Sequence, residues 1–282
     1  MNLSRRNLLK LGAGAAALCA VGTCPAGLLA DEPRKKIPIG LQLYSLRDVC
    51  PKDFAGTLAA VGKMGYEGVE FAGYYGQTAK ALRHMLDQSG LKCCGAHIAL
   101  DTLQGDALKK TVEFNQVLGN RFLIVPSLPP EKMASLAALI DTAKLLTELA
   151  DEVKDAGMRV GYHAHAQDFK PLADRVPYEV VFGNAGPNVV MQLDTSNCLD
   201  GGGDPVATLK KFPGRTATIH LKEHGGAKGA VVGEGDVPWE KVFELCETVG
   251  GTQWYIVEQE TFQQSPLESV ALCLKNLRKM GK

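Results

Sequence analysis

Aromatic residues are scarce, at 6% of 282 residues, and there is no excess of charge of either sign, with 31 Lys plus Arg against 31 Asp plus Glu. The first shortage speaks against a β-sandwich, whose inner faces draw on aromatics, and favours aliphatic strands with many turns. The second removes the bulk attraction toward DNA, RNA or anionic lipid, so nucleic acid is not expected as a partner. No C-x-x-C pair occurs among the cysteines that follow the leader described below (Cys50, Cys93, Cys94, Cys198, Cys246 and Cys273), so a thiolate metal site is not indicated. In a chain long enough to bury a full core these read as buried free thiols as readily as disulfides. Beyond residue 30 no stretch approaches the roughly 20 continuous apolar residues that cross a bilayer. No G-x-G-x-x-G follows the first β-rich run, which takes away the main support for a dinucleotide-binding open sheet.

What is present begins with a leader. Ser4-Arg5-Arg6-Asn7-Leu8-Leu9-Lys10 precedes an uncharged Ala/Gly-rich stretch from Leu11 to Ala30. This reads as a twin-arginine signal peptide over residues 1–30, cleaved near Ala30, and implies an exported, periplasmic or extracytoplasmic protein. Gly12, Gly14, Gly22, Gly27 and Pro25 argue against a stable amphipathic helix in its place. Removing Arg5, Arg6 and Lys10 leaves 28 positive against 31 negative charges, a net of −3. The remaining residues, 31–282, are expected to form one domain.

That domain alternates β-rich runs with helical patterns. Strands are expected at 37–44, 68–72, 92–99, 121–125, 159–165, 189–195, 216–222 and 253–258. Between them apolar residues recur at helical spacing, as in Phe54, Leu58 and Val61, or Leu146, Ala150 and Val153. Gly65, Gly90 and Gly157 stand where helices should stop, and Ser265-Pro266-Leu267-Glu268 opens the last helix as a capping box. From Tyr44 to Glu258 seven intervals average about 31 residues, a βα repeat length. Eight such units with right-handed crossovers close into a single α/β (β/α)8 TIM barrel. A doubly wound open sheet is the rival arrangement.

Barrel enzymes carry their sites at the carboxyl ends of the strands. Polar residues gather there in this sequence: Gln42, Tyr44 and Arg47; Glu70; His97; His163 and His165; Gln192, Asp194 and Asn197; His220 and Lys222; Glu258 and Glu260. Strand alternation puts His163 with His165, His220 with Lys222, and Glu258 with Glu260 on common faces. So many imidazoles and carboxylates in a narrow interior are costly unless paired or bound to metal. One divalent cation satisfies them, and the mixed N/O set suits Mn²⁺, Zn²⁺ or Co²⁺, with Mg²⁺ favoured by all-oxygen sets. His84 and His224, on a helix face and in a glycine-flanked loop, have no such company.

These motifs resemble the sugar phosphate isomerase/epimerase superfamily, the xylose isomerase-like barrels. The residues that carry the resemblance are Gly40 to Arg47, Gly68 to Gly73, Gly161-Tyr162-His163-Ala164-His165, Gln192-Leu193-Asp194, His220-Leu221-Lys222-Glu223, Gly233-Glu234-Gly235 and Val257-Glu258. The resemblance implies a metal held by a fifth-strand residue, His163 or His165, with Asp194, His220 and Glu258. Ketose epimerases use a glutamate on that fifth strand; this chain is more similar to members with Tyr-His-Asn-His, although Ala164 replaces the Asn and Asp168 stands where those relatives have Glu.

A cation bound to adjacent sugar oxygens polarises a carbonyl and leaves a side-chain base to move the neighbouring proton through an enediolate. His163, Lys222, Glu258 and Glu260 are expected to do this catalytic work, and His165 is placed with Asp194, His220 and Glu258 in the ligand set, with His163 as its alternative on the fifth strand. Tyr44, Arg47, Glu70 and His97 are expected to bind the substrate. Trp239 is a candidate for stacking on a sugar ring, with ordinary packing as the competing reading. The partner implied is a small-molecule carbohydrate such as a keto sugar, a polyol or an oxidised glycoside. An isomerase or epimerase activity leads, with a dehydratase-type lyase or a non-catalytic sugar-binding barrel as alternatives. The oligomeric state is left open, a homo-oligomer included.

Overall fold

The computed structural model describes residues 36–282, so the leader expected over residues 1–30 lies outside the described residues. Eight parallel strands close into a barrel in chain order. They are β1 (Ile39–Gln42), β2 (Gly68–Phe71), β3 (Lys92–His97), β4 (Phe122–Val125), β5 (Arg159–His163), β6 (Val190–Asp194), β7 (Thr218–Leu221) and β8 (Trp254–Val257). β8 pairs back onto β1 in the register Leu41 to Val257, which excludes the open sheet.

Each expected strand is found, but several are shorter at the carboxyl end. After β1 the amide of Tyr44 donates to the side chain of Gln42 at 3.0 Å, and Leu43–Leu46 becomes a 3-10 turn. After β5 the Asp168 carboxylate accepts the amide of His165 at 2.7 Å and starts another turn. Tyr44, His165 and Lys222 therefore sit in loops just beyond the strands expected to contain them.

The helices form an outer ring: α1 (Phe54–Met64), α2 (Ala79–Gln88), α3 (Gly105–Leu118), α4 (Leu136–Val153), α5 (Pro177–Asn184), α6 (Thr195–Asp200), α7 (Pro205–Lys211), α8 (Trp239–Thr248) and α9 (Pro266–Lys279). α1 ends at Gly65 with φ of 98°, a left-handed conformation that costs an L side chain energy but suits glycine. The capping box of Ser265 and Glu268 opens α9 as expected. Arginines serve the helix ends at the base of the barrel: Arg83 donates to Leu118 O at 2.8 Å and Arg278 to Gly65 O at 3.1 Å. Each satisfies a carbonyl that has no partner within its own helix. Among the described residues no helix is long and apolar enough to cross a membrane.

Inside the barrel, apolar and polar layers divide the space. At the amino-terminal end Phe122, Ile124, Val190 and Ala217 pack together with Trp254 against them. Glycine makes room for this floor: a Cβ on Gly161 would lie 2.6 Å from Ile124 Cδ1 and 2.8 Å from Val190 Cβ. Above the floor come Gln42, Glu70, Gln192 and Thr218, all fully buried, and above these the histidines and carboxylates. The apolar plug below keeps water from the polar layer, so whatever binds there enters from the carboxyl end.

Candidate metal centre

Four strand ends bring donor atoms to one point. His163 ends β5, Asp194 ends β6, His220 lies in β7, and Glu258 follows β8, its amide still donating to Leu221 O at 3.2 Å. One donor atom from each of these four lies within 4.8 Å of the others, and none of the four side chains is exposed. The β6–β7 register sets Asp194 directly beside His220. Asp194 also caps α6, accepting the amide of Asn197 on Oδ1 at 2.7 Å. Its Oδ2 is buried with no hydrogen-bond partner, and so is Nδ1 of His163.

Such orphaned atoms are costly in a dry interior unless something else satisfies them. Two imidazoles and two carboxylates facing one point fit a divalent cation of the Zn²⁺, Mn²⁺ or Co²⁺ kind. His97, His163 and His220 form an overlapping group, with the His97 and His220 rings stacked at 5.5 Å.

A layer of hydrogen bonds aims these ligands. Glu70 Oε2 lies 2.6 Å from His220 Nε2, 3.3 Å from His97 Nε2 and 2.8 Å from the Gln42 amide nitrogen. Its other oxygen accepts from Gln192 Nε2 at 2.8 Å, and Gln192 Oε1 lies 3.0 Å from His97 Nε2. With Nε2 engaged by Glu70, His220 turns Nδ1 toward Glu258 Oε2 at 3.4 Å and Asp194 Oδ2 at 3.9 Å.

Electrostatics follows from this burial. Burial would push His220 down, but Glu258 and Glu70 outweigh it and raise its pKa to about 10. Burial raises Asp194 to about 7 even though Lys222 opposes it. Burial also raises carboxyl pKa values at Glu70, but His97 and His220 more than offset it and hold that group well below the usual carboxylate range. His163 is driven down by burial and by the neighbouring imidazoles, so it stays neutral with a lone pair to offer.

A cavity of about 300 Å³ opens above the cluster, lined by Tyr44, His97, His163, His165, Asn197, Glu258 and Glu260 among others. Tyr44 is 45% exposed at its mouth. Lys222 Nζ lies 2.6 Å from Glu260 Oε1 and 3.8 Å from Glu258 Oε2. Burial lowers the Lys222 pKa, but Asp194, Glu258 and Glu260 outweigh it and push the ammonium above its ordinary value.

The geometry differs from the expected roles at four residues. His163, expected as an acid/base group, stands in the donor cluster, whereas His165, expected as a ligand, lies outside it and lines the cavity. The reason is that β5 ends at His163 and the turn held by Asp168 carries His165 outward. Glu70, expected to touch substrate, is fully buried beneath the cluster and does not line the cavity. Arg47, also expected to touch substrate, is not in the cavity lining; it donates to Tyr44 O and Glu260 O, and its guanidinium lies 4.7 Å from the Tyr44 ring, bracing the mouth. Trp239 packs on Phe243 and donates to Glu223 at 2.9 Å, which is the ordinary-packing reading. His224 pairs with Asp200 at 3.1 Å. Pro126 and Ser127, also in the lining, carried no signal in the sequence because no ionisable residue marks the end of β4.

A (β/α)8 barrel with a buried His/Asp/Glu cluster at the carboxyl ends of its strands is a barrel with a candidate metal site at its active end. The chain belongs to the xylose isomerase-like TIM barrel family, whose model matches residues 58–279. It is 24% identical over 238 residues to an inosose dehydratase of Lacticaseibacillus casei, covering 70% of this chain and 78% of that relative. Among solved structures it is similar to a sugar phosphate isomerase/epimerase of Parabacteroides distasonis, with a TM-score of 0.76 and 26% identity over 86% of this chain and 98% of the other. The fold is also that of a zinc-bound IOLI protein, with a TM-score of 0.65 and 14% identity over 86% of this chain and 97% of the other.

Proposed function

We propose that this chain is an exported enzyme of the sugar isomerase/epimerase type that depends on one divalent metal ion and acts on a carbohydrate. The observation that carries the reading is that Asp194 Oδ2 and His163 Nδ1 are buried without a hydrogen bond in the cluster completed by His220 and Glu258. These four residues would hold the cation, which supplies Lewis acidity that makes a C–H beside a sugar carbonyl acidic. The zinc in the IOLI relative supports a metal of this kind.

The remaining residues do the binding and proton handling. His165 lines the cavity and is kept neutral by burial, so it offers a lone pair as base toward a sugar carbon. Lys222 is held as an ammonium, and its contact with Glu260 makes a donor–acceptor pair through which a proton can pass. Tyr44 and His97 contact the sugar, and Arg47 holds the loop of Glu260 in place.

Dehydration is the second reading, and the inosose dehydratase relatives favour it. Both reactions begin with removal of a proton beside a carbonyl and differ in what leaves afterward. Export rests on Arg5-Arg6 and the apolar stretch behind them.

The test is metal analysis of the purified protein by plasma mass spectrometry beside an Asp194→Ala, His220→Ala double variant. About one Mn, Zn or Co per chain, lost in the double variant, is expected. A protein that binds no metal and cannot be loaded with any of the three overturns the reading.

A further inference from the structure

A second cavity adjoins the first. It also measures about 300 Å³, and Asn197 and Glu260 line both. Lys222 stands at the partition: its Nζ lies 2.6 Å from Glu260 Oε1, 3.5 Å from Asn197 Oδ1 and 3.8 Å from Glu258 Oε2. The Lys222 side chain is 15% exposed and that of Glu260 38%, so the partition is an ion pair anchored in the wall at Lys222 and open to solvent at Glu260.

The second cavity has its own chemistry. Glu223 is saturated by the amides of Gly233 and His224 and the indole of Trp239, and the Gln259 amide nitrogen donates to carbonyls of Ala230 and Thr261. These two shape the wall. Ser196 Oγ donates to Asp200 Oδ2 at 3.3 Å and His224 Nδ1 lies 3.1 Å from Asp200 Oδ1, so this carboxylate offers a ligand its remaining lone pairs and Thr261 offers its hydroxyl, against the methyl group of Ala230. A hydroxyl and a carboxylate that can still accept from O–H groups match a polyhydroxylated ring and mismatch an apolar group, which would leave those lone pairs unused. Each cavity falls at the lower end of the roughly 300–1,000 Å³ usual for small ligands, so a single sugar ring in one leaves the other vacant.

We propose that the two cavities are adjoining subsites of one carbohydrate site, and that the substrate is a two-ring glycoside. The reacting ring occupies the cavity above the metal cluster, and the second ring lies among Ser196, Asp200 and Thr261, with the linkage passing Lys222 and Glu260. This rests on the carbohydrate reading proposed above and selects the glycoside from among keto sugar, polyol and glycoside.

The experiment is calorimetric titration of the metal-loaded protein with D-glucose and D-galactose and with cellobiose, maltose and lactose. Two variants accompany it: Thr261→Trp, which fills the second cavity from an exposed position, and Asp200→Ala, which removes its carboxylate. Metal content checks the folding of each. At least one disaccharide is expected to bind about tenfold or more tightly than its component monosaccharides, and both variants should bring that ratio close to one. Equal affinity for one-ring and two-ring sugars overturns the proposal, as does a ratio that survives both variants. Metal binding without affinity for any disaccharide also overturns it but leaves the metal centre standing. A protein that takes up no metal fails at the earlier step.

Discussion

His220 Nε2 lies 2.6 Å from Glu70 Oε2 across the barrel interior, and this contact decides which imidazole nitrogen faces Asp194 and Glu258. A carboxylate behind a ligand histidine fixes its tautomer and ring angle and raises its basicity. Glu70 is itself pinned by Gln42 and Gln192, so the orientation is set by three strands.

Glu70→Gln should therefore weaken metal binding by about 10- to 100-fold while leaving the barrel folded. Competition against a chromophoric chelator measures it. Unchanged affinity would show that His220 needs no support from below.

Metal affinity should rise with pH, because protons compete for the same atoms. His220, raised to about 10 by Glu258 and Glu70 against the effect of burial, carries a proton on Nδ1 that the cation must displace. Asp194, raised by burial to about 7, adds a second proton below that pH. The logarithm of the affinity should gain about one unit per pH unit above pH 7 and about two per unit below it. Titrations between pH 6 and 9 check both slopes, and a flat profile would count against this ligand set.

Much of the barrel was legible because apolar runs, capping residues and turn glycines repeat with the βα period. Strand ends were less so. His163 and His165 share parity, and parity alone gives them equal claim to the cluster. What separates them is where β5 loses its partner: Ala164 still donates to Gln192 O at 3.1 Å, after which Asp168 captures the amide of His165. That depends on a neighbouring strand and a turn residue together. The place of Glu70 beneath the cavity is hidden from the sequence for a similar reason, since its contacts with Gln42, His97, Gln192 and His220 come from four other strands. Asp194, His220 and Glu258 were easier to place, each being the acidic or imidazole residue at the close of an apolar run.

Asp168 makes stability depend on pH. Burial raises its pKa from 3.8 to about 6, although the His165 amide and the Tyr162 hydroxyl, 2.9 Å from both oxygens, act to lower it. A carboxyl whose folded pKa is raised contributes stability that is fully present below about pH 3.8 and is lost as pH rises through about 6. Asp168→Asn cannot titrate, so the stability of the natural protein relative to the variant should fall by about 3 kcal/mol over that window. Urea unfolding of both proteins from pH 4 to pH 7 measures the difference; a gap that stays constant sinks the assignment.

Gly161→Ala should destabilise the barrel by about 1–3 kcal/mol, because the added methyl meets Ile124 and Val190 in a packed floor. Pairing it with Ile124→Val, which removes a methyl from the same spot, should recover part of the loss. Denaturant midpoints of the single and double variants decide whether the contact is responsible.

Among the described residues six thiols are distributed through this fold, all of them free and buried: Cys50, Cys93, Cys94, Cys198, Cys246 and Cys273. Burial pushes each toward the protonated, unreactive form. They sit on β3, α6, α8 and α9 and just before α1, spread around the ring. Because none is committed to a bridge, the folded barrel is indifferent to the reducing power of its surroundings. A thiol reagent will modify each position only as often as its own part of the wall opens, so the labelling rates chart breathing around the barrel with no probe introduced.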